Sequence, residues 1–248
     1  MAQIKPQENA MSASGVTTQQ LNVIGVSSNL MKRKREEDDD HYKEIALTND
    51  HVVVVCRDQT FQNLAELALE EVMQNNTLEY DKPCKMGKIE YKRPRGTAFY
   101  AIPKIGGYKY GGVQDVAHNI NDYTAVFDLL THANQYAGSD KFTGVLLNFY
   151  RCGNDCIRLH SDKDVSKNEF LGVLSISLGI TRKLRFENKS DKKKVDVDKK
   201  HGTILAMCGK GFQEAHKHEM KRLKIKPGVE STWHASFTFR RHSRSLKK

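Results

Sequence analysis

His160 and Asp162 are the residues whose types and spacing first suggest chemistry in this chain. They belong to the segment Arg158-Leu159-His160-Ser161-Asp162, at the end of a predicted strand. Residues i and i+2 of a strand face the same side, so this imidazole and this carboxylate can reach one metal ion. A second imidazole from a distant strand would complete a set that covers one face of Fe(II) and leaves positions for substrate and O2. An H-x-D pair by itself is a weak signal, because chance matches are frequent and most such histidines are structural or exposed.

Further motifs lie on either side of this pair. Asn148-Phe149-Tyr150 precedes it, the segment HGTILAMCGKGFQEAHKH ending at His218 follows it, and Ser236-Phe237-Thr238-Phe239-Arg240 comes near the end of the chain. This order resembles the AlkB family of Fe(II)/2-oxoglutarate oxygenases, and above all the branch containing the DNA-repair dealkylases of animals. Residues 94–100 and 108–112 are similar to the substrate-side segment of that branch.

The resemblance implies an α+β fold, in which a double-stranded β-helix (jelly-roll) core is flanked by N-terminal helices. It also implies an iron site made of His160, Asp162 and His218. His216 is the rival for the third ligand, and the spacing from Gln213 favours His218, because the family has its histidine five residues after this glutamine.

The co-substrate implied by the resemblance is 2-oxoglutarate, which chelates iron through its keto and C1 carboxylate oxygens. The residues expected around it are Asn148, Tyr150, His234, Ser236, Thr238 and Arg240. A planar guanidinium suits pairing with a carboxylate, so Arg240 is assigned that role.

One position departs from the family pattern. Relatives have two arginines six residues apart on the last strand, and here the first falls at His234. A protonated His234 would be a weaker cation at neutral pH, since its ordinary pKa is near 6.5. The sequence therefore predicts weaker co-substrate binding, unless Arg241, Arg244 or a lysine from a loop supplies the charge.

The reaction implied by the family is oxidative demethylation of N-alkylated bases in nucleic acid, of the 1-methyladenine or 3-methylcytosine type, releasing formaldehyde, succinate and CO2. The target base must be flipped out or supplied single-stranded and stacked on an aromatic ring. The residues expected to contact the nucleic acid are Tyr108, Tyr110, Asp164, Arg95 and Met86. Tyr110 would stack the base against the ring of His160, Asp164 would face the base edge, and Met86 is the apolar candidate for a wedge.

Two other functions remain open at this level. One is a catalytically weak or inactive nucleic-acid-binding protein on the same scaffold, and the other is a 2-oxoglutarate oxygenase that acts on protein. Residues 182–248 contain 20 Lys or Arg against 7 Asp or Glu, more than the whole net charge of +10. A basic region of this kind attracts phosphate backbones and favours nucleic acid, DNA or RNA, as the partner.

The composition suits one domain with a tail in 248 residues. We expect a disordered polar tail over 1–50, with the basic run 32–35 as a candidate nuclear import signal, and an oxygenase domain over 51–248. No apolar run is long enough to cross a membrane. We expect a nuclear monomer, with the cytoplasm as the alternative location.

Helices are predicted at about 60–73 and 122–136, and short strands from 143 onward. Residues 190–201 are predicted to form a basic loop between two of these strands.

Overall fold

The structure is a computed structural model, and it describes residues 42–86, 88–138, 141–162, 165, 167–224 and 232–242. The strands up to the second helix are β1 (Tyr42–Ala46), β2 (Val52–Arg57), β3 (Pro83–Met86), β4 (Ile89–Lys92), β5 (Gly96–Ala101), β6 (Gly107–Tyr110), β7 (Val113–Val116) and β8 (His118–Asn119). The later strands are β9 (Gly144–Tyr150), β10 (Ile157–His160), β11 (Leu171–Gly179), β12 (Arg182–Asn188), β13 (Lys194–Lys199), β14 (Thr203–Cys208), β15 (His216–Met220) and β16 (His234–Arg240).

Three α-helices accompany these strands in the described part of the chain: α1 (Gln59–Gln74), α2 (Thr124–Tyr136) and the single turn α3 (Phe212–Ala215). Helix α1 begins where the Asp58 side chain accepts a hydrogen bond from the Phe61 amide, because a carboxylate satisfies one of the free N–H groups of a first turn. No helix in these described segments is long and apolar enough to span a membrane.

The strands form two principal sheets. The larger has the order β1-β2-β14-β11-β16-β9-β5-β8, and the smaller has the order β10-β15-β12-β13. Strands β3 and β4 form one separate hairpin, and β6 and β7 form another. Two facing, mainly antiparallel sheets with helices on one outer side make the double-stranded β-helix that the resemblance implied, so the fold prediction is confirmed.

Alternation along the strands of the larger sheet creates two separate cores. On β16, Ala235, Phe237 and Phe239 pack with helices α1 and α2. The residues between them, Ser236 and Thr238, face the other way and line a cavity between the sheets. Successive side chains of a strand point to opposite faces, so every strand that supports the helices also contributes to that cavity.

Two expectations about the ends of elements need correction. The sheet begins at Tyr42 rather than near residue 51, because β1 pairs along its whole length with β2. Residues 190–201 are not a loop throughout, since Lys194–Lys199 form β13 and pair with β12. Residues 1–41 of the expected tail, including the basic run 32–35, lie outside the described residues.

Candidate metal and co-substrate site

Two neighbouring strands of the smaller sheet bring the predicted metal ligands together. His160 ends β10 and lies directly opposite His218 of β15 in the antiparallel register, and the two ring centroids are 4.3 Å apart. Asp162 follows two residues after β10. One ligand atom from each of His160, Asp162 and His218 can be chosen so that all three lie within 4.8 Å of one another.

The ionisation of these side chains suits metal binding. Burial lowers the pKa of His160, and it lowers the pKa of His218 to about 3, so both imidazoles are neutral. Burial alone would raise the pKa of Asp162, but the positive charge of Arg240 outweighs it and brings the pKa to about 2. Two neutral imidazoles and one carboxylate are the donor set that non-haem Fe(II) takes in oxygenases, so these residues fit the ion.

Backbone and side-chain contacts hold the ligands in place. The Nδ1 of His160 is 2.7 Å from the carbonyl oxygen of Arg158, and since a carbonyl only accepts, this nitrogen carries the proton and Nε2 keeps its lone pair for a metal. Gln213 accepts a hydrogen bond of 2.9 Å from the Asp162 amide. Gly209 permits the turn between β14 and α3 with a φ of 123°, and a Cβ there would lie 2.3 Å from the Asp50 carbonyl oxygen.

His216 lies apart from this cluster, although it shares β15 with His218. Its ring packs between His51 and Phe212, each with its centroid 5.0 Å away. Burial and the neighbouring His51 lower its pKa to about 4. Of the two candidates for the third ligand, the structure brings His218 to the cluster.

The predicted co-substrate residues lie beside the metal cluster, with one exception. Asn148, Tyr150, Ser236, Thr238 and Arg240 all line the cavity between the sheets. Strands β9 and β16 supply them, and Asn148 is the register partner of Ser236. These side chains therefore form a wall of the cavity that His160, Asp162 and His218 also line.

Two arginines fix the polar groups of this wall. The Nη1 of Arg240 is 3.0 Å from Oδ1 of Asp162, which places a guanidinium next to the metal ligands. The Nε of Arg95 donates a hydrogen bond of 2.6 Å to Oδ1 of Asn148. The amide NH2 of Asn148 therefore remains as a donor toward the cavity.

His234 is the exception, and the structure does not support its predicted role as a cation. Its Nδ1 is 2.8 Å from the carbonyl oxygen of Ile180, and it is not among the described residues that line the cavity. Burial and the nearby Lys199 lower its pKa to about 3. A neutral imidazole committed to a backbone carbonyl cannot pair with the far carboxylate of 2-oxoglutarate.

Lys199 lines the same cavity and was not predicted to belong to the site. It is the last residue of β13, and its side chain is buried. The alternation in KVDVDK indicates a strand with Val195, Val197 and Lys199 on one face. That pattern was available in the sequence, but the density of lysines suggested a loop instead.

The predicted substrate side consists of two tyrosines from the hairpin β6–β7. The Tyr110 ring meets the His160 ring edge-on, with centroids 5.9 Å apart and an interplanar angle of 89°. Tyr108 is stacked against Tyr110 at 6.4 Å and lies under the Arg240 guanidinium. Because the rings of Tyr110 and His160 are perpendicular, a base can be sandwiched between them only after the Tyr110 ring turns.

Arg95, which was predicted to contact the nucleic acid, lies against the Tyr110 ring in the structure. Its side chain is buried, with the guanidinium carbon 4.8 Å from the centroid of the Tyr110 ring. Arg93 lies over the same ring at 5.4 Å and pairs with Asp115. Both arginines therefore support the tyrosine from within the protein.

The remaining two predicted contacts are only partly described. Met86 ends β3 at the tip of the hairpin β3–β4, opposite Ile89 in the register, and nothing further is described of its side chain. The sequence interpretation overlooked Ile89, whose side chain is 59% exposed at this tip. Asp164 lies outside the described residues.

Comparison with known proteins agrees with this geometry. The model of the 2OG-Fe(II) oxygenase superfamily matches residues 53–244. Alpha-ketoglutarate-dependent dioxygenase alkB homolog 3 from Rattus norvegicus is 30% identical over 185 residues, which is 67% of this chain and 58% of that protein. The chain thus spans rather less than two thirds of the length of this relative.

A solved structure titled "The structure of OsALKBH1" shares the fold, with a TM-score of 0.50 and 20% identity. The match covers 81% of this chain and all of the other. The family match extends over both sheets and all three candidate metal ligands. The chain belongs to the 2OG-Fe(II) oxygenase superfamily and, within it, to the AlkB family, whose members use Fe(II) and 2-oxoglutarate.

Proposed function

We propose that this protein oxidatively demethylates N-methylated bases in nucleic acid, of the 1-methyladenine or 3-methylcytosine type. The observation that carries the proposal is the position of Tyr110, an aromatic ring on a hairpin edge, 5.9 Å from the ring of the metal ligand His160. A flat ring beside an oxidising centre offers a stacking surface for a base. The backbone of an extended peptide presents no flat ring that could stack on this surface.

Different residues orient the base, orient the keto acid and exclude water in this reaction. His160, Asp162 and His218 would hold the iron, which with 2-oxoglutarate and O2 would supply the oxidation of the methyl C–H bond, and the methyl carbon would be released as formaldehyde. Tyr110 orients the base, with Arg93 and Arg95 fixing its own ring. Arg240 and Asn148 orient the keto acid, and the apolar side chains lining the cavity keep bulk water from the reacting atoms.

Charge on the smaller sheet supports a nucleic-acid partner. The exposed lysines on and next to its strands are Lys183, Lys192, Lys193, Lys194, Lys217 and Lys221. Lysines attract phosphates without regard to base sequence. Lys183 and Lys217 lie on the outer face of the sheet whose inner face carries His218, so these lysines would attract a nucleic acid to the protein without holding its backbone at the metal cluster.

The test is a panel of oligonucleotides read by mass spectrometry. Single- and double-stranded DNA and RNA carrying 1-methyladenine or 3-methylcytosine are incubated with Fe(II), 2-oxoglutarate and O2. We expect the wild type to remove one methyl group from the base and to release one formaldehyde in each event. The His160→Ala variant should do neither, whereas His201→Ala, a control at a partly exposed histidine outside the cavity, should retain the activity.

Two results would overturn the proposal. One is equal demethylation by the His160→Ala variant, which would mean that the reaction does not use this metal site. The other is co-substrate turnover with no methyl loss from any member of the panel. The nuclear location rests on the basic run 32–35 alone and is part of the proposal.

A further inference from the structure

Lys199 is a buried cation whose position on its strand is otherwise apolar. Val195, Val197 and Lys199 alternate with the exposed residues Asp196 and Asp198 along β13. The lysine side chain is only 3% exposed. The first two inward positions extend the core between the sheets, and the third places an amine at the wall of the cavity.

No described residue pairs this amine with a carboxylate. The Nζ of Lys199 donates hydrogen bonds to Oγ of Ser175 at 3.0 Å and to Oγ of Ser236 at 2.9 Å. The neighbouring acids of β13 are already paired on the outer face, Asp196 with Arg185 and Asp198 with Lys183.

An unpaired buried amine is costly to the ligand-free fold. Burial lowers the pKa of Lys199 to about 7, which means that the protein without a ligand disfavours the charge. An ammonium has three donors, and the two serine hydroxyls occupy only two. Buried charges are stable when they are paired, so this arrangement suits an anionic partner that arrives from the cavity.

The amine and Arg240 stand at two separate points of the same wall. Ser236 and Arg240 are four residues apart on one face of β16, about 13 Å along an ideal strand. Arg240 contacts the metal ligand Asp162, and Ser236 contacts Lys199. A molecule that chelates the metal beside Arg240 can extend along β16 within the same cavity toward Ser236 and Lys199.

We propose that Lys199, with Ser175 and Ser236, binds the distal carboxylate of 2-oxoglutarate. The lysine thereby takes the part of the arginine that is replaced by His234 on the last strand. His234 lies outside the cavity lining and has its Nδ1 committed to Ile180. This assignment depends on the co-substrate of the family and not on the nucleic-acid substrate.

The experiment compares two keto acids that differ only at the distal end. The full chain is loaded with Mn(II), which prevents turnover, and titrated in a calorimeter with 2-oxoglutarate or with 2-oxobutanoate, which lacks the second carboxylate. For Lys199→Met we expect 2-oxoglutarate to bind about 10- to 100-fold more weakly, the range for one charged hydrogen-bonded pair. Binding of 2-oxobutanoate should stay within about twofold of the wild type, since its contacts are unchanged.

Two controls keep the test decisive. Lys194→Met removes an exposed lysine from the same strand and should leave both affinities unchanged. Lys199→Gln keeps a hydrogen-bond partner for the two serines but has no charge. If the methionine variant does not fold, Lys199→Gln serves in its place, and we expect it to lose affinity for 2-oxoglutarate but not for 2-oxobutanoate. Wild-type affinity for 2-oxoglutarate in a folded Lys199 variant, or an equal loss for both acids, would overturn the assignment.

Discussion

At the scale of single residues, the metal site depends on contacts that set the tautomer and the ionisation state of the ligand side chains. His160 is held in one tautomer by a carbonyl, and Asp162 is kept ionised by Arg240. These roles follow from contacts between distant segments, so the sequence could nominate the ligands through motif register but could not show what orients them. Arg95 illustrates the limit, because an arginine in the substrate-side segment suggests a contact with nucleic acid, whereas the sequence does not show that its side chain is buried against Tyr110.

Gln213 provides a test of orientation at this scale. Replacing Gln213 by Ala removes the acceptor for the Asp162 amide, so the carboxylate loses its fixed direction. We expect Mn(II) affinity to fall about tenfold, the lower end of the range for residues that orient metal ligands. The measurement is a Mn(II) titration followed by electron paramagnetic resonance.

The matched control for this variant is Gln59→Ala, which alters an exposed glutamine at the start of α1. It should bind Mn(II) as the wild type does. Unchanged Mn(II) affinity in folded Gln213→Ala would show that Gln213 does not position the carboxylate.

At the scale of elements, alternation along the strands predicts more of the site than composition does. Strand β16 spans His234–Arg240, and the period of two of any strand puts Ser236, Thr238 and Arg240 on one face. Strand β13 was missed because its lysines and aspartates suggested a solvated loop. The cross-strand pairs of β13 with β12 stabilise it as a strand, and such pairs cannot be seen from one segment alone.

The hairpin β3–β4 carries a prediction about substrate form. Ile89 is exposed at its tip, and an apolar side chain there can enter a base step and assist unstacking. We expect Ile89→Ala to reduce demethylation of duplex substrates about tenfold, because unstacking costs a few kcal/mol, with little change on single strands. Initial rates on matched single- and double-stranded oligonucleotides measure the ratio.

Leu67→Ala is the control for this loss of an exposed apolar side chain, since Leu67 is 53% exposed on helix α1. It should leave the duplex-to-single-strand ratio unchanged. An equal decrease on both substrates in Ile89→Ala would contradict the role of a wedge.

At the scale of the whole molecule, the two sheets enclose a cavity lined partly by polar groups, where a purely apolar core would be more stable. The larger sheet packs helices on one side and directs polar groups into the cavity on the other. The resemblance predicted this architecture correctly, and with His234 in place of the first arginine it left open Arg241, Arg244 or a lysine from a loop as the second cation. The structure brings the amine of Lys199, from the smaller sheet, to the cavity, and only the packing of the two sheets reveals which lysine does so.

The buried amine predicts how the stability of the ligand-free protein depends on pH. The pKa of Lys199 falls from 10.5 to about 7 on folding. Between these values the unfolded chain binds a proton that the folded chain does not, so stability decreases as the pH falls, by about 1.4 kcal/mol per pH unit. Urea unfolding should show that the stability of Lys199→Met relative to the wild type rises by about 2 kcal/mol from pH 9 to pH 7.

The same comparison in Lys194→Met should show no such gain, since Lys194 is exposed. Parallel pH dependence of the wild type and Lys199→Met would mean that Lys199 keeps an ordinary pKa in the folded state.

The central claim, that His160, Asp162 and His218 hold the iron to which 2-oxoglutarate binds, is tested most directly by an anaerobic titration of Fe(II). The signal is the visible absorption that appears when a 2-oxo acid chelates protein-bound Fe(II). The wild type and Asp128→Ala, a control at an exposed aspartate of α2, should develop this absorption with one iron per chain, whereas Asp162→Ala should not. Full development of the absorption in Asp162→Ala would contradict the account.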